Sequence, residues 1–206
     1  MKKPQALTAM TERLSSIGLH AALLGGVVSF SAIFFAIALT PEFDWKENYL
    51  SDLAGKPGEK PYWNARGPPS IIFNAGLFLG GLAELLFAWE LRKTGLLAGK
   101  GKTAWAALAL AAVFISLIGV FPETLGLPHE FAALGFFLLV PFTAFLAGKA
   151  LRDFDAVLSR WLFTASTVSL SSAIGVMATP AYPAAFQLVT AACMAVLVLA
   201  LAFKAR

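Results

Sequence analysis

Six apolar stretches of membrane-spanning length dominate this chain and leave it few folds to choose from. They run over Ile17–Thr40, Ser70–Leu91, Ala104–Phe121, Glu130–Gly148, Trp161–Thr179 and Ala184–Phe203. A helix needs about 20 predominantly apolar residues to cross a hydrocarbon layer about 30 Å thick. Lipid offers no partner to an unpaired backbone group, so each stretch must close its own hydrogen bonds as a helix. The third, between Thr103 and Pro122, is the shortest, and the alternation of charged loops on either side requires it to span. The expected fold is all-α: one transmembrane domain over residues 1–206 with six spanning helices, a short tail at 1–16 and a long loop at 41–69.

Composition removes the soluble alternatives. The 206 residues are 58% hydrophobic and 14% charged, with a mean hydropathy of +0.74. Soluble domains carry about 45–50% apolar and about 25% charged residues. The net charge of +4 does not point to nucleic acid, because the basic residues sit in short clusters between apolar runs. All but four of the sixteen lysines and arginines fall in the N-terminus, the second and fourth connections and the C-terminus; the exceptions are Lys46, Lys56, Lys60 and Arg66. The positive-inside rule then places both termini in the cytoplasm and the 41–69 loop outside, as in a multi-pass protein of the cell membrane. Acids run the other way: Glu42, Asp44, Glu47, Asp52, Glu59, Glu123 and Glu130 all fall at the outer level. The single cysteine, Cys193, lies in an apolar run, so there is no disulfide framework. Ala36-Ile37-Ala38 superficially resembles a signal-peptidase site, but the apolar run before it is longer than a signal core and reads as a retained anchor.

The remaining information is concentrated in Pro41–Asn74, the only long polar segment between apolar runs. Within it, Asn48-Tyr49-Leu50-Ser51-Asp52-Leu53-Ala54 can form a short helix with Leu50, Leu53 and Ala54 on one side. Ser51 or Asn48 would cap it, since short polar side chains favour caps; alternatively Ser51 and Asp52 line a site. The aromatics Trp45, Tyr49, Tyr62 and Trp63 suit headgroup depth. In the second span, Gly80-Gly81 permits close helix approach. Glu84 lies ten residues below Asn74, about 15 Å along the helix. An acid at that depth is costly and faces the bundle interior or a wet path, either as a protonated packing element or as a functional group.

A short turn after the third span brings Glu123, His129 and Glu130 to the level of Asp52. Pro128 suits a helix start, Glu130 suits its positive dipole end, and His129 can cap it. Carboxylates and an imidazole can also hold a divalent cation or act as an acid–base pair. The acids are scattered with no metal-ligand spacing, so no metal and no cofactor are expected. Pro141 should kink the fourth span. The hydroxyls Thr164, Ser166, Thr167, Ser169, Ser171 and Ser172 in the fifth are expected to bond across helices. No GxSxG, Walker or CxxC motif occurs.

Taken in order, Asn48–Ala54, Phe73-Asn74-Ala75-Gly76, Gly119-Val120-Phe121-Pro122 and His129 with Ala132 resemble the prokaryotic membrane family known as domain of unknown function 998. The resemblance covers nearly the whole chain and implies six spans. Ala54 stands where that family more often has glycine. More distantly, the pattern is similar to six-span eukaryotic proteins that include GPI-anchor lipid-remodelling factors and damage-regulated autophagy modulators. This implies lipid handling at the non-cytoplasmic leaflet and carries no reaction with it.

The reading that follows is a protein that binds or handles a lipid or amphiphile in a polar pocket on the outer side. Asn48, Asn74, Glu84, Glu123 and Glu130 are its candidate ligand-binding residues, and Ser51, Asp52 and His129 are candidates for chemistry. Asp52, Asn74 and His129 are expected to meet beneath the folded-down loop. An intramembrane hydrolase or transferase would use Ser51 as nucleophile and His129 as base, with an acid orienting it. A structural or assembly subunit is the third class. The expected partner is membrane lipid, with a homo-oligomer or a second membrane protein as the protein-level alternatives, and no nucleic acid.

Overall fold

The computed structural model describes residues 12–55, 66–179 and 181–206. Within them lie six long helices: α1 Ser16–Ala38, α2 Pro68–Thr94, α3 Lys102–Val120, α4 Leu127–Leu151, α5 Ala156–Ala178 and α6 Pro183–Ala205. All six are long and apolar enough to cross a membrane. Three single turns of 3-10 helix, Leu50–Ala54, Gly99–Gly101 and Glu123–Leu125, punctuate the connections, and no strand occurs among the described residues. The chain is a multi-pass helical membrane protein. Most of the short tail at 1–16, and the aromatics Tyr62 and Trp63, lie outside the described residues.

Local signals set the helix ends. Ser15 caps α1 by accepting from the Gly18 N–H at 3.0 Å. Pro68 starts α2 earlier than the apolar pattern alone suggests, because proline is already set for a first helical turn. Gly95, in the left-handed region at φ 72°, ends α2 and donates back to the Arg92 carbonyl. Asp155 caps α5 through the Leu158 N–H at 2.9 Å. At 19 residues α3 is the shortest span, close to 28 Å at 1.5 Å per residue. It crosses with little to spare.

Consecutive helices pack side by side, and α1 also touches α6, which closes the bundle. The tightest crossing is α1 on α2. Small residues interleave there: Gly25, Ser29 and Ala32 on α1 meet Glu84, Gly80 and Gly76 on α2. A methyl group at Gly76 would sit 1.9 Å from the Ala32 Cβ, and one at Gly80 would sit 2.0 Å from the Ser29 Oγ. Without a hydrophobic drive between helices in lipid, such close van der Waals contact is what holds them together. The outside is the reverse of a soluble protein's surface: Phe35, Phe131, Trp161 and Met177 are exposed where lipid would lie.

The chain just before α1 meets the end of α6 at one end, where the Leu14 N–H bonds the Ala205 carbonyl at 2.8 Å. This is the termini end. The opposite end carries the first loop, the α3–α4 turn and the α5–α6 turn, and is the loop end.

Candidate functional site

The first loop builds its own scaffold before it meets the helices. Thr40 turns its hydroxyl back to the Ala36 carbonyl at 2.8 Å, finishing α1. The Lys46 N–H donates to the Asp44 carboxylate at 2.8 Å, and the Asp44 N–H donates to the Asn48 side-chain oxygen at 2.8 Å. The Asn48 amide then donates to Asp52 Oδ2 at 3.0 Å, and that same oxygen accepts from the Tyr49 N–H at 3.2 Å. Asp52 is fully buried. Its carboxylate reaches back over the start of the Leu50–Ala54 turn, as an acid three residues into a helix does in a capping box. Such hydrogen bonds to a charged acceptor are the strong kind. The cap expected of Ser51 or Asn48 is thus made by Asp52, with Asn48 as its donor.

That turn presents Leu50, Leu53 and Ala54 inward, all buried, and is fastened on two sides. Toward α2, the Ser70 hydroxyl donates to the Leu53 carbonyl at 2.9 Å, and the Asn74 amide donates to the Ala54 carbonyl at 3.4 Å. Toward α6, the Leu50 N–H donates to Gln187 Oε1 at 2.6 Å. The Tyr182 and Ala184 N–H groups donate to the carbonyls of Lys46 and Asn48, both at 3.1 Å. Tyr182 sits in the left-handed region at φ 58°, a position that costs a side-chain-bearing residue about 1 kcal/mol. The loop is a strap across the bundle from α2 to α6.

Beneath the strap is a cavity with about 60 Å³ of space for water-sized spheres. Five helices contribute walls: Ile33 from α1, Phe73 and Leu77 from α2, Ile115 and Ile118 from α3, Ala133, Phe136 and Phe137 from α4, and Ala191 from α6. Its roof is Leu50 and Ser51. The polar groups on its lining are Ser51, His129 and Gln187. The pocket is therefore apolar with a polar rim, where the sequence suggested a polar pocket.

His129 is in the first turn of α4 and is 5% exposed. Its Nδ1 lies 2.7 Å from the Phe121 carbonyl. A carbonyl can only accept, so the proton is on Nδ1, and the neutral ring carries its lone pair on Nε2. The same reasoning fixes Gln187: its Oε1 is committed to the Leu50 N–H, which leaves the Nε2–H donors toward the rim. Ser51 makes no hydrogen bond among the described residues. The rim thus offers one acceptor, one donor and one hydroxyl that can be either.

The sequence candidates fall into three groups. Ser51 and His129 share the cavity lining. Asn48, Asp52 and Asn74 tie down strap backbone beside it. Glu84, Glu123 and Glu130 lie off the cavity lining: Glu130 is exposed and Glu123 half-buried in the α3–α4 turn. Glu84 is 3% exposed and packs against α1, where a methyl group at Gly25 would meet its Cγ at 2.7 Å. Its Oε2 has no hydrogen-bond partner among the described residues. No cluster of three His, Cys, Asp or Glu side chains suited to a metal ion occurs among the described residues.

Gln187 is the site residue that sequence reasoning passed over. Its signal was scarcity: the chain has two glutamines, Gln5 and Gln187, and the second sits inside an apolar helix.

Comparison with known proteins adds the lineage. A family model described as "Protein of unknown function (DUF998)" matches residues 23–204, nearly the whole chain. No curated protein and no solved structure matches.

Proposed function

The chain belongs to the DUF998 family, a family of unknown function, and we propose that it holds a membrane amphiphile in the cavity at its loop end. One observation carries this reading: a partly open apolar cavity, walled by five helices, ends in a rim of groups whose remaining hydrogen-bonding capacity no described residue takes up. Ligand sites are mostly apolar concavities with a few placed polar groups. The resemblance read from Asn48–Ala54 to lipid-remodelling proteins supports the same reading, and the positive-inside pattern favours an orientation with the cavity toward the outer leaflet. The strap then separates the bound molecule from water, with Asp52 keeping the strap folded.

The test is native mass spectrometry of the protein released from lipid nanodiscs, comparing wild type with Ala133→Phe, which fills the cavity. Wild type should retain a mass adduct that survives moderate activation, and the filled variant should lose it. Equal adducts on both, or none on either, defeat the reading.

A second reading, an acyl hydrolase or transferase, is favoured by one feature: Ser51 and His129 line the same cavity, and the imidazole lone pair is on Nε2, as a general base requires. Among the described residues no hydrogen bond joins the two, so the nucleophile would need to move to be activated. Covalent labelling of Ser51 by a fluorophosphonate, abolished by His129→Asn, would support it; unlabelled protein would count against it.

A further inference from the structure

The rim groups also carry information about the head of the ligand, provided the cavity holds an amphiphile at all, which rests on the reading above. His129 and Gln187 each have one partner already, and that partner fixes what is left over. His129 spends its Nδ1–H on the Phe121 carbonyl at 2.7 Å, so in the neutral imidazole Nε2 is the acceptor. Gln187 has its oxygen engaged by the Leu50 N–H at 2.6 Å, which leaves its two amide N–H groups as donors. Ser51 keeps both capacities.

Charge is the second constraint. Among the described residues no lysine or arginine lines this cavity. A phosphate or carboxylate brought into this lining would lose its hydration with no cation among the described residues to replace it, a desolvation cost that hydrogen bonds alone do not offset. A quaternary ammonium fares no better, because among the described residues no acid lines the space either. Size is the third. A water needs roughly 10–15 Å³ of such volume, so the 60 Å³ present takes a file of about five water-sized groups. Residues from His129 to Phe137 set a depth of about two helical turns, roughly 12 Å at 1.5 Å per residue. That suits the upper part of one hydrocarbon chain rather than two.

We infer that the cavity selects an uncharged, single-chain amphiphile whose head presents both a hydroxyl and a carbonyl, the chemistry of a monoacylglycerol. A head hydroxyl donates to His129 Nε2, the ester carbonyl accepts from the Gln187 amide, and Ser51 satisfies the remaining hydroxyl. The chain descends between Phe73, Ile115 and Phe137.

The experiment is competition at pH 8 among three probes with the same C18:1 chain: 1-monooleoylglycerol, oleate and oleoyl lysophosphatidate. Each is titrated into nanodisc-embedded protein, and displacement of a photoreactive monoacylglycerol is read by native mass spectrometry. The neutral probe should compete about tenfold better than either anion, the loss expected for burying a charge without a partner. Ser51→Ala, which breaks no hydrogen bond among the described residues, should weaken it several-fold and leave the anions unmoved. Gln187→Met should weaken it about tenfold, and because that variant also frees the strap, Ser51→Ala carries the decision. If no probe binds, the amphiphile reading itself fails. If an anion binds as well as or better than the neutral probe, or if Ser51→Ala changes nothing, the amphiphile reading stands and the assignment of a neutral head is overturned.

Discussion

The two ends of this bundle are closed by different physics. At the termini end, charge does the work. The Ser15 hydroxyl donates to Glu90 at 2.7 Å while also capping α1, and Lys93 pairs with the same carboxylate. Lys204 reaches Asp155 at 2.7 Å. Arg92 stacks over Trp105 with its guanidinium carbon 5.1 Å from the ring centre, and Trp105 donates to the Ala88 carbonyl at 2.6 Å. At the loop end, apart from Asp52, the fastenings described are neutral hydrogen bonds from Ser70, Asn74, Gln187 and backbone N–H groups, and they span a hollow. The Lys204–Asp155 pair and the Ser15–Glu90 bond join helices that already touch, whereas the strap's bonds hold a cover over space. The difference teaches that the loop end closes over a cavity, and the termini end over packed helices.

The sharpest way to break this comparison is Asp52→Ala. It removes the acceptor of the Asn48 amide and the Tyr49 N–H in a fully buried place, and bonds to a charged acceptor are worth about 1.5–3 kcal/mol each. A loss of about 3 kcal/mol in detergent-solubilised stability is expected. Hydrogen exchange should rise across residues 44–55 and leave the termini end unchanged. If protection falls equally at both ends, the strap is not an independent unit.

Much of this was legible in the chain, for a reason that differs by level. The six helices follow from the absence of hydrogen-bonding partners in lipid, a constraint strong enough to be read off composition. Their outer limits were less so: α2 extends to Pro68 and Thr94 because a proline and Gly95 set the ends, not hydropathy. The short turn at Leu50–Ala54 was visible as a pattern of Leu50, Leu53 and Ala54. Which residue caps it was not, since Ser51, Asn48 and Asp52 are all good caps in isolation and only burial selects Asp52. Gln187 was out of reach for another reason. Its partner Leu50 lies 137 residues away, and such a pairing has no periodicity to betray it. Glu84 was visible as costly, but that it nests against Gly25 depends on the register of α1 on α2.

Glu90→Gln sharpens the comparison from the other side. It keeps an acceptor for Ser15 but ends the pairing with Lys93, so a loss on the order of 1 kcal/mol is expected, less than for Asp52→Ala. Salt should imitate it. Raising ionic strength from 0.05 to 1 M shortens the screening length from above 10 Å to about 3 Å, and exchange should increase in the first turn of α1 and the last of α6 while residues 44–55 hold. Uniform loosening would show that both ends rest on the same forces.

The smallest effect belongs to Asp155. Its carboxyl is held below its ordinary value of 3.8 by the Leu158 N–H first and by Lys204 second. A lowered folded-state pKa adds stability that is present above pH about 4 and fades as the pH falls through the lowered value. Asp155→Asn should therefore reduce the melting temperature slightly at pH 7 and by less at pH 3. An equal reduction at both would mean that the ion pair and cap contribute through shape alone.

The central claim is that the hollow under the strap is occupied, and a photoreactive monoacylglycerol with a diazirine in its chain tests it most directly. After irradiation in nanodiscs, peptide mapping should place the label on cavity residues such as Ala133, Phe137 or Ala191, and excess unlabelled 1-monooleoylglycerol should remove it. Label confined to the lipid-facing side of α4, at Phe131, Leu134 and Leu138, and indifferent to competitor, would show an amphiphile that only bathes the protein and would contradict the account.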